Sequence, residues 1–112
     1  MKTLVGEAGE TPEVDVAEAV RARADDGAVL LDIREPKEWA RFRIPGAVHI
    51  PMGDLAQRAG ELDRSKPVVV YCKSGQRSLV STDELLDLGF KDVASLNGGI
   101  VAWAEANQPI ES

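Results

Sequence analysis

At 112 residues, with 44% apolar and 29% charged side chains, the chain suits one globular domain with one core, which excludes wholesale disorder. A formal net charge of −6 excludes a nucleic-acid or anionic-membrane partner held by bulk electrostatics. One cysteine, Cys72, and one histidine, His49, exclude an internal disulfide and a cysteine-rich zinc site, so no metal is expected.

Residues 1–13 are polar and rich in glycine and glutamate, and read as a loosely held arm or short edge strand. The N-terminus lacks the apolar h-region of a signal peptide, and no run approaches transmembrane length, so a soluble cytoplasmic protein is expected. The first helix starts at Asp15, which with Glu18 makes a capping box, and it ends at Asp25-Asp26-Gly27. Ala28 to Ile33 is a continuous apolar run fit for a strand buried on both faces, with Asp32 and Arg34 at its carboxyl end. Glu35-Pro36 opens a short helix, and Ile44-Pro45-Gly46-Ala47 is a turn. Val48 to Pro51 is a brief strand that Pro51 marks as short or peripheral.

Asp54 to Leu62 reads as one helix, and Val68 to Tyr71 as a second buried strand. A helix begins near Gln76, with Leu79, Val80, Leu85, Leu86 and Leu88 as its apolar face and Gly89 as its stop. Val93 to Leu96 is a further strand, Asn97-Gly98-Gly99 a tight turn, and Ile100 to Ala106 a last helix. Trp39, Trp103 and Phe90 are most simply core residues. Strands alternating with helices predict an α/β fold with a mostly parallel sheet. In such sheets sites form at the carboxyl ends of strands, where Asp32, Arg34 and Cys72 all lie.

The chemistry concentrates in Cys72-Lys73-Ser74-Gly75-Gln76-Arg77-Ser78. A thiol opens this loop between a strand and a helix N-terminus, where backbone N–H groups and the helix dipole favour the thiolate. Lys73 and Arg77 add positive charge, and Gly75 allows the positive φ that a cradle needs. Arg77 can hold an anion bidentately, whereas Lys73 offers a point charge. Together these features make Cys72 a reactive sulfur in an anion-binding cradle. Glu38 is expected to be structural, as a salt bridge or cap, and His49 to fill space or satisfy a backbone group. Gly98-Gly99 lacks the other residues of a P-loop.

Several stretches in this order resemble the single-domain rhodanese family of sulfurtransferases. They are Leu31-Asp32-Ile33-Arg34 with Glu38-Trp39, Ile44-Pro45-Gly46-Ala47 with Ile50-Pro51, the loop Cys72 to Ser78, Leu88-Gly89-Phe90 with Val93, and Leu96-Asn97-Gly98-Gly99 with Trp103. The resemblance implies one domain over residues 14–108, a tail at 109–112, and a central five-stranded, mostly parallel sheet with helices on both faces. It implies that Cys72 cycles through a persulfide, taking a sulfane sulfur from thiosulfate or a similar donor and passing it to cyanide or a thiol. Lys73, Ser74, Gly75, Gln76, Arg77 and Ser78 would bind the anionic donor, Asp32 and Arg34 would support the site, and no cofactor is implied. A sulfur-accepting protein is a further expected partner, because the chain has no second cysteine to take the sulfur; a sulfur-relay or regulatory module is the alternative role.

Two departures stand out. Phe42-Arg43 replaces the family's frequent Gly-His, and Lys73 stands where arginine is frequent. Related phosphatases and arsenate reductases space the loop arginine six residues from the cysteine. Here Arg77 is at the fifth position, which leaves the loop one residue short for phosphate.

Overall fold

The computed structural model describes residues 10–112; of the expected N-terminal arm, residues 1–9 lie outside the described residues. Five parallel strands form one sheet: β1 (Glu13–Val14), β2 (Val29–Asp32), β3 (Val48–His49), β4 (Val68–Tyr71) and β5 (Val93–Leu96). Their spatial order is β1-β5-β4-β2-β3, which puts β4 at the centre and the Pro51-limited β3 at an edge. The five α-helices are α1 (Val16–Asp26), α2 (Pro36–Arg41), α3 (Leu55–Arg58), α4 (Arg77–Asp87) and α5 (Gly99–Glu105).

Alternation along β4 sorts the core onto two faces. Val68, Val70 and Cys72 join Leu55 and Ala59 near α3 and Leu85 of α4. Val69 and Tyr71 join Ala19 of α1 with Ile100 and Trp103 of α5. The cysteine therefore leaves the sheet on the α3/α4 side.

The capping box of α1 forms in both directions: Glu18 N–H donates to the Asp15 carboxylate at 2.8 Å, and Asp15 N–H donates to Glu18 Oε1 at 3.2 Å. Gly27 closes the helix at φ 66°, in the left-handed region.

Three expectations are corrected. Asp54 to Leu62 is not one helix; 3₁₀ turns at Met52–Asp54 and Ala59–Glu61 flank the single-turn α3. Gly53 and Gly60, poor helix formers, stand in those two turns, and Leu55, Ala59 and Leu62 alone supply buried anchors.

The inner face of α4 is not its leucine face. Ser78, Ser81, Thr82 and Leu85 are buried, while Val80 and Leu88 are exposed. Trp39 is only half-buried: it stacks on His49, ring centroids 4.7 Å apart and planes 7° from parallel, whereas Trp103 and Phe90 are buried as expected.

Small polar residues on the inner face of α4 leave a cost. Among the described residues, Ser81 Oγ and Thr82 Oγ1 are buried without a hydrogen-bond partner. An unsatisfied buried hydroxyl costs about 1–3 kcal/mol. Thr82→Val keeps the shape and removes the hydroxyl, so it is expected to raise the urea midpoint by an amount equivalent to about 1 kcal/mol. An unchanged or lower midpoint would show that the hydroxyl is satisfied in solution.

The last residues are tied down. Arg43 pairs with Glu111 through an antiparallel backbone bridge and a 3.2 Å ion pair, and Trp103 Nε1–H donates to Pro109 O at 2.8 Å. Arg43 also donates to Trp39 O at 3.0 Å and lies 5.2 Å over the Trp39 ring. The Arg43 that departs from the family pattern thus fastens the C-terminal segment to α2.

Candidate active site

The rim that carries the candidate residues follows from strand pairing. Asp32 of β2 pairs in register with Tyr71 of β4, so the carboxyl ends of these strands lie side by side. Beyond Tyr71 the chain turns through Cys72 to Gln76 into α4.

Cys72 is 1% exposed. Its Sγ accepts the Gly75 N–H at 3.1 Å and lies 3.4 Å from Ser78 Oγ. Burial pushes the thiol up, but hydrogen bonds from the Ser78 hydroxyl and from the N–H groups of Ser78, Gly75 and Ser74 outweigh it. The net shift is downward, toward the thiolate. Ser78 Oγ is in turn 2.7 Å from Ser95 Oγ on β5, a residue that the sequence marks only as part of a strand.

The loop is held open from outside by α5. Ile100 N–H donates to Cys72 O at 2.9 Å, and Val101 N–H donates to Lys73 O at 3.1 Å. These bonds satisfy the loop carbonyls on its outer side. Close approach requires Gly99: a Cβ there would stand 2.5 Å from both Cys72 O and Lys73 O. Gly75, at φ 102°, packs against the Gly98 backbone, where a Cβ would meet Gly98 N at 3.0 Å. The Asn97-Gly98-Gly99 stretch, expected as a turn, is also the buttress of the cysteine loop.

Arg77 does not stand free. Its guanidinium grips Glu38 of α2 bidentately, Nη1 to Oε1 at 2.8 Å and Nη2 to Oε2 at 3.0 Å. Glu38 Oε1 also accepts the Glu35 N–H at 3.0 Å, so this carboxylate is both cap and salt bridge. The Arg77 hydrogen bond, opposed by partial burial and aided by the Glu35 N–H, holds Glu38 down to about 2. A carboxyl depressed on folding stabilises the folded state above its ordinary value of 4.5, and that contribution fades as pH falls from there toward about 2. Glu38→Gln is therefore expected to flatten the acid limb of stability in this window, measured as urea midpoint against pH. An acid limb as steep as that of the unmodified protein would mean the pair does not form in solution.

Asp32 and Arg34 brace the rim rather than line the cradle. Arg34, 1% exposed, donates through Nε and Nη2 to Asp32 at 2.8–3.1 Å, and through Nη2 to Phe42 O at 2.7 Å. His49 Nε2 is 2.8 Å from Arg34 O, the backbone role expected of it. Lys73, Ser74 and Gln76 are exposed on the loop, and Ser78 is fully buried beneath it. A surface hollow of about 360 Å³, lined by residues including Val20, Arg21 and Gln108, lies beside α1, on the face opposite Cys72.

Signals for Glu38 and Ser95 were faint in the sequence. Their partners are 39 and 17 positions away, and only the strand order brings them together.

Residues 16–106 match the family described as Rhodanese-like domain. A sulfurtransferase of Allochromatium vinosum is 40% identical over 99 residues, covering 88% of this chain and 92% of that protein. The thiosulfate sulfurtransferase GlpE of Pseudomonas syringae is 37% identical over 86 residues, covering 77% of this chain and 81% of that protein. In structure, a thiosulfate sulfurtransferase from Pseudomonas aeruginosa superposes with a TM-score of 0.81 at 34% identity; the likeness covers 90% of this chain and 20% of that one. A five-stranded parallel sheet, a cysteine loop at its rim and this likeness over most of the length agree: the chain belongs to the rhodanese-like domain family.

Proposed function

We propose that the protein is a sulfurtransferase that works through a persulfide on Cys72. The observation that carries the reading is the set of donors on one sulfur: the Gly75 N–H and the Ser78 hydroxyl reach Sγ, and its ionisation is shifted toward the thiolate. The Cys72 thiolate attacks the outer sulfur of thiosulfate. The sulfur–sulfur bond of the donor breaks, sulfite leaves with the electron pair, and the new persulfide carries the negative charge. An acceptor such as cyanide then attacks the sulfane sulfur, and the thiolate returns with the electron pair of the broken bond.

The loop amides and the N-terminus of α4 stabilise the anionic sulfur throughout. Arg77, held in place by Glu38, and the exposed Lys73 supply charge for a dianionic donor and for departing sulfite. With one cysteine in the chain, sulfur must leave to an external thiol, to cyanide or to a sulfur-accepting protein. A cytoplasmic setting fits a chemistry that needs a reduced thiol. Among the described residues no helix is long and apolar enough to cross a membrane.

The test is intact mass spectrometry after exposure to thiosulfate. One sulfur should be added, and cyanide should remove it with stoichiometric thiocyanate. Alkylating the sole thiol beforehand should block the addition. Absence of the adduct, or its appearance on alkylated protein, overturns the reading.

A further inference from the structure

Ser95 sits on the middle of β5, fully buried, on the same face of the sheet as Cys72. Its hydroxyl is 2.7 Å from Ser78 Oγ, and Ser78 Oγ is 3.4 Å from Cys72 Sγ. Both serines are 0% exposed, so water does not complete this chain of hydroxyls from outside.

Counting protons fixes its direction. Two hydroxyls bring two protons to two hydrogen bonds, and each serine has one to give. A thiolate can only accept. The bond to Cys72 must then use the Ser78 proton, which leaves the Ser78–Ser95 bond to be donated by Ser95. Without the Ser95 hydroxyl, Ser78 Oγ loses the donor that fixes its rotation, and its own proton is no longer committed to the sulfur.

We propose that Ser95 is a positioning residue for Cys72: by donating to Ser78 it commits the only Ser78 proton to the sulfur and so stabilises the thiolate from two residues away. The inference rests on the reading of Cys72 as an anionic nucleophile. In the thiol form the same chain reverses, with Cys72 donating to Ser78 and Ser78 to Ser95. No atom need move by more than a hydroxyl rotation. The thiol form brings three protons to these two hydrogen bonds and leaves the Ser95 proton over, so the chain is matched to the thiolate.

Other charges bear on Cys72 as well. Arg77 of α4 interacts with the sulfur electrostatically and is paired with Glu38 of α2, while Lys73 adjoins Cys72 on the exposed loop. None of these is altered by a change at Ser95, so comparison among variants at that one position isolates the hydroxyl.

The experiment is titration of the Cys72 thiolate by its ultraviolet absorbance, on the full chain, in Ser95→Ala and in the isosteric pair Ser95→Thr and Ser95→Val. Thr and Val impose the same steric load and differ by the hydroxyl alone, so the comparison survives any loosening of the core. Ser95→Ala and Ser95→Val are expected to titrate about one pH unit higher than Ser95→Thr, a tenfold loss of thiolate on the acid side. Ser95→Thr should stay near the unmodified protein. If Ser95→Thr and Ser95→Val titrate alike, or if Ser78→Ala leaves the titration unmoved, the relay does not exist. An unmodified protein that titrates low and gains sulfur from thiosulfate while Ser95→Thr and Ser95→Val coincide overturns the Ser95 role and leaves the sulfurtransferase reading standing. An unmodified Cys72 that titrates at or above the ordinary thiol range overturns the relay, and the sulfurtransferase reading falls with it only if thiosulfate also adds no sulfur.

Discussion

Cys72→Ser is expected to reduce thiosulfate-dependent thiocyanate formation to the uncatalysed background, a fall of at least about 10⁴-fold, while leaving the fold intact. The reason is the element and not the space it fills. A serine Oγ can accept the Gly75 N–H and meet the Ser78 hydroxyl much as sulfur does, so stability should move by no more than about 1 kcal/mol. What is lost is an atom that ionises far more readily than a hydroxyl and that forms a bond to a second sulfur. The same logic gives a pH profile. Because the Cys72 thiol is shifted down, activity of the unmodified protein should persist below the range of an ordinary thiol, and fall as pH drops through the lowered value. Thiocyanate assays and urea melts of the two proteins decide the matter. Residual turnover in Cys72→Ser would remove the persulfide from the mechanism.

Gly99→Ala should damage both fold and chemistry, although residue 99 makes no contact with the sulfur itself. The added Cβ would lie 2.5 Å from two carbonyl oxygens and 2.6 Å from the Lys73 carbonyl carbon, all of them backbone atoms that cannot rotate away. Gly99 also holds φ at 59°, a conformation that L side chains adopt at a cost. Either α5 or the loop must retreat. Retreat breaks the bonds from Ile100 and Val101 to Cys72 and Lys73 and tilts the loop amides away from the sulfur. A loss of about 3 kcal/mol or more is expected from overpacking and strain together, and a fall of about 10²-fold in sulfur transfer from misplaced groups. Gly53→Ala is the control. No atom lies within 4 Å of the site of its Cβ, so it should melt and turn over like the unmodified protein. If Gly99→Ala behaves like the control, the buttress is not real.

Much of this arrangement could be read before the fold was known. Continuous apolar runs gave β2 and β4, Asp15 with Glu18 gave the start of α1, and the strand–cysteine–helix order gave the loop. What escaped is what depends on orientation about a helix axis or on pairing across the sheet. On α4 the apolar residues suggested an inward leucine face. The helix instead aims its first turn at Cys72 and turns Ser78, Ser81 and Thr82 inward with Leu85, leaving Val80 outward. The serine that meets Ser78 comes from β5, and the carboxylate that grips Arg77 comes from α2. Glu38 was legible as a salt bridge or cap but its partner was not, and Ser95 was legible only as a strand residue, since both pairings depend on strand order. Arg77 was legible as a cation by the loop, but not as one already engaged.

The clasp between α5 and the cysteine loop also sets a schedule. Carbonyls of residues 72 and 73 find their donors at 100 and 101, nearly thirty positions later, and α5 is itself anchored through Trp103 to Pro109. A growing chain that has reached only α4 holds the thiol but neither of the donors at 100 and 101. A chain cut before residue 99 is therefore expected to keep the thiol and lose two of the bonds that shape its loop.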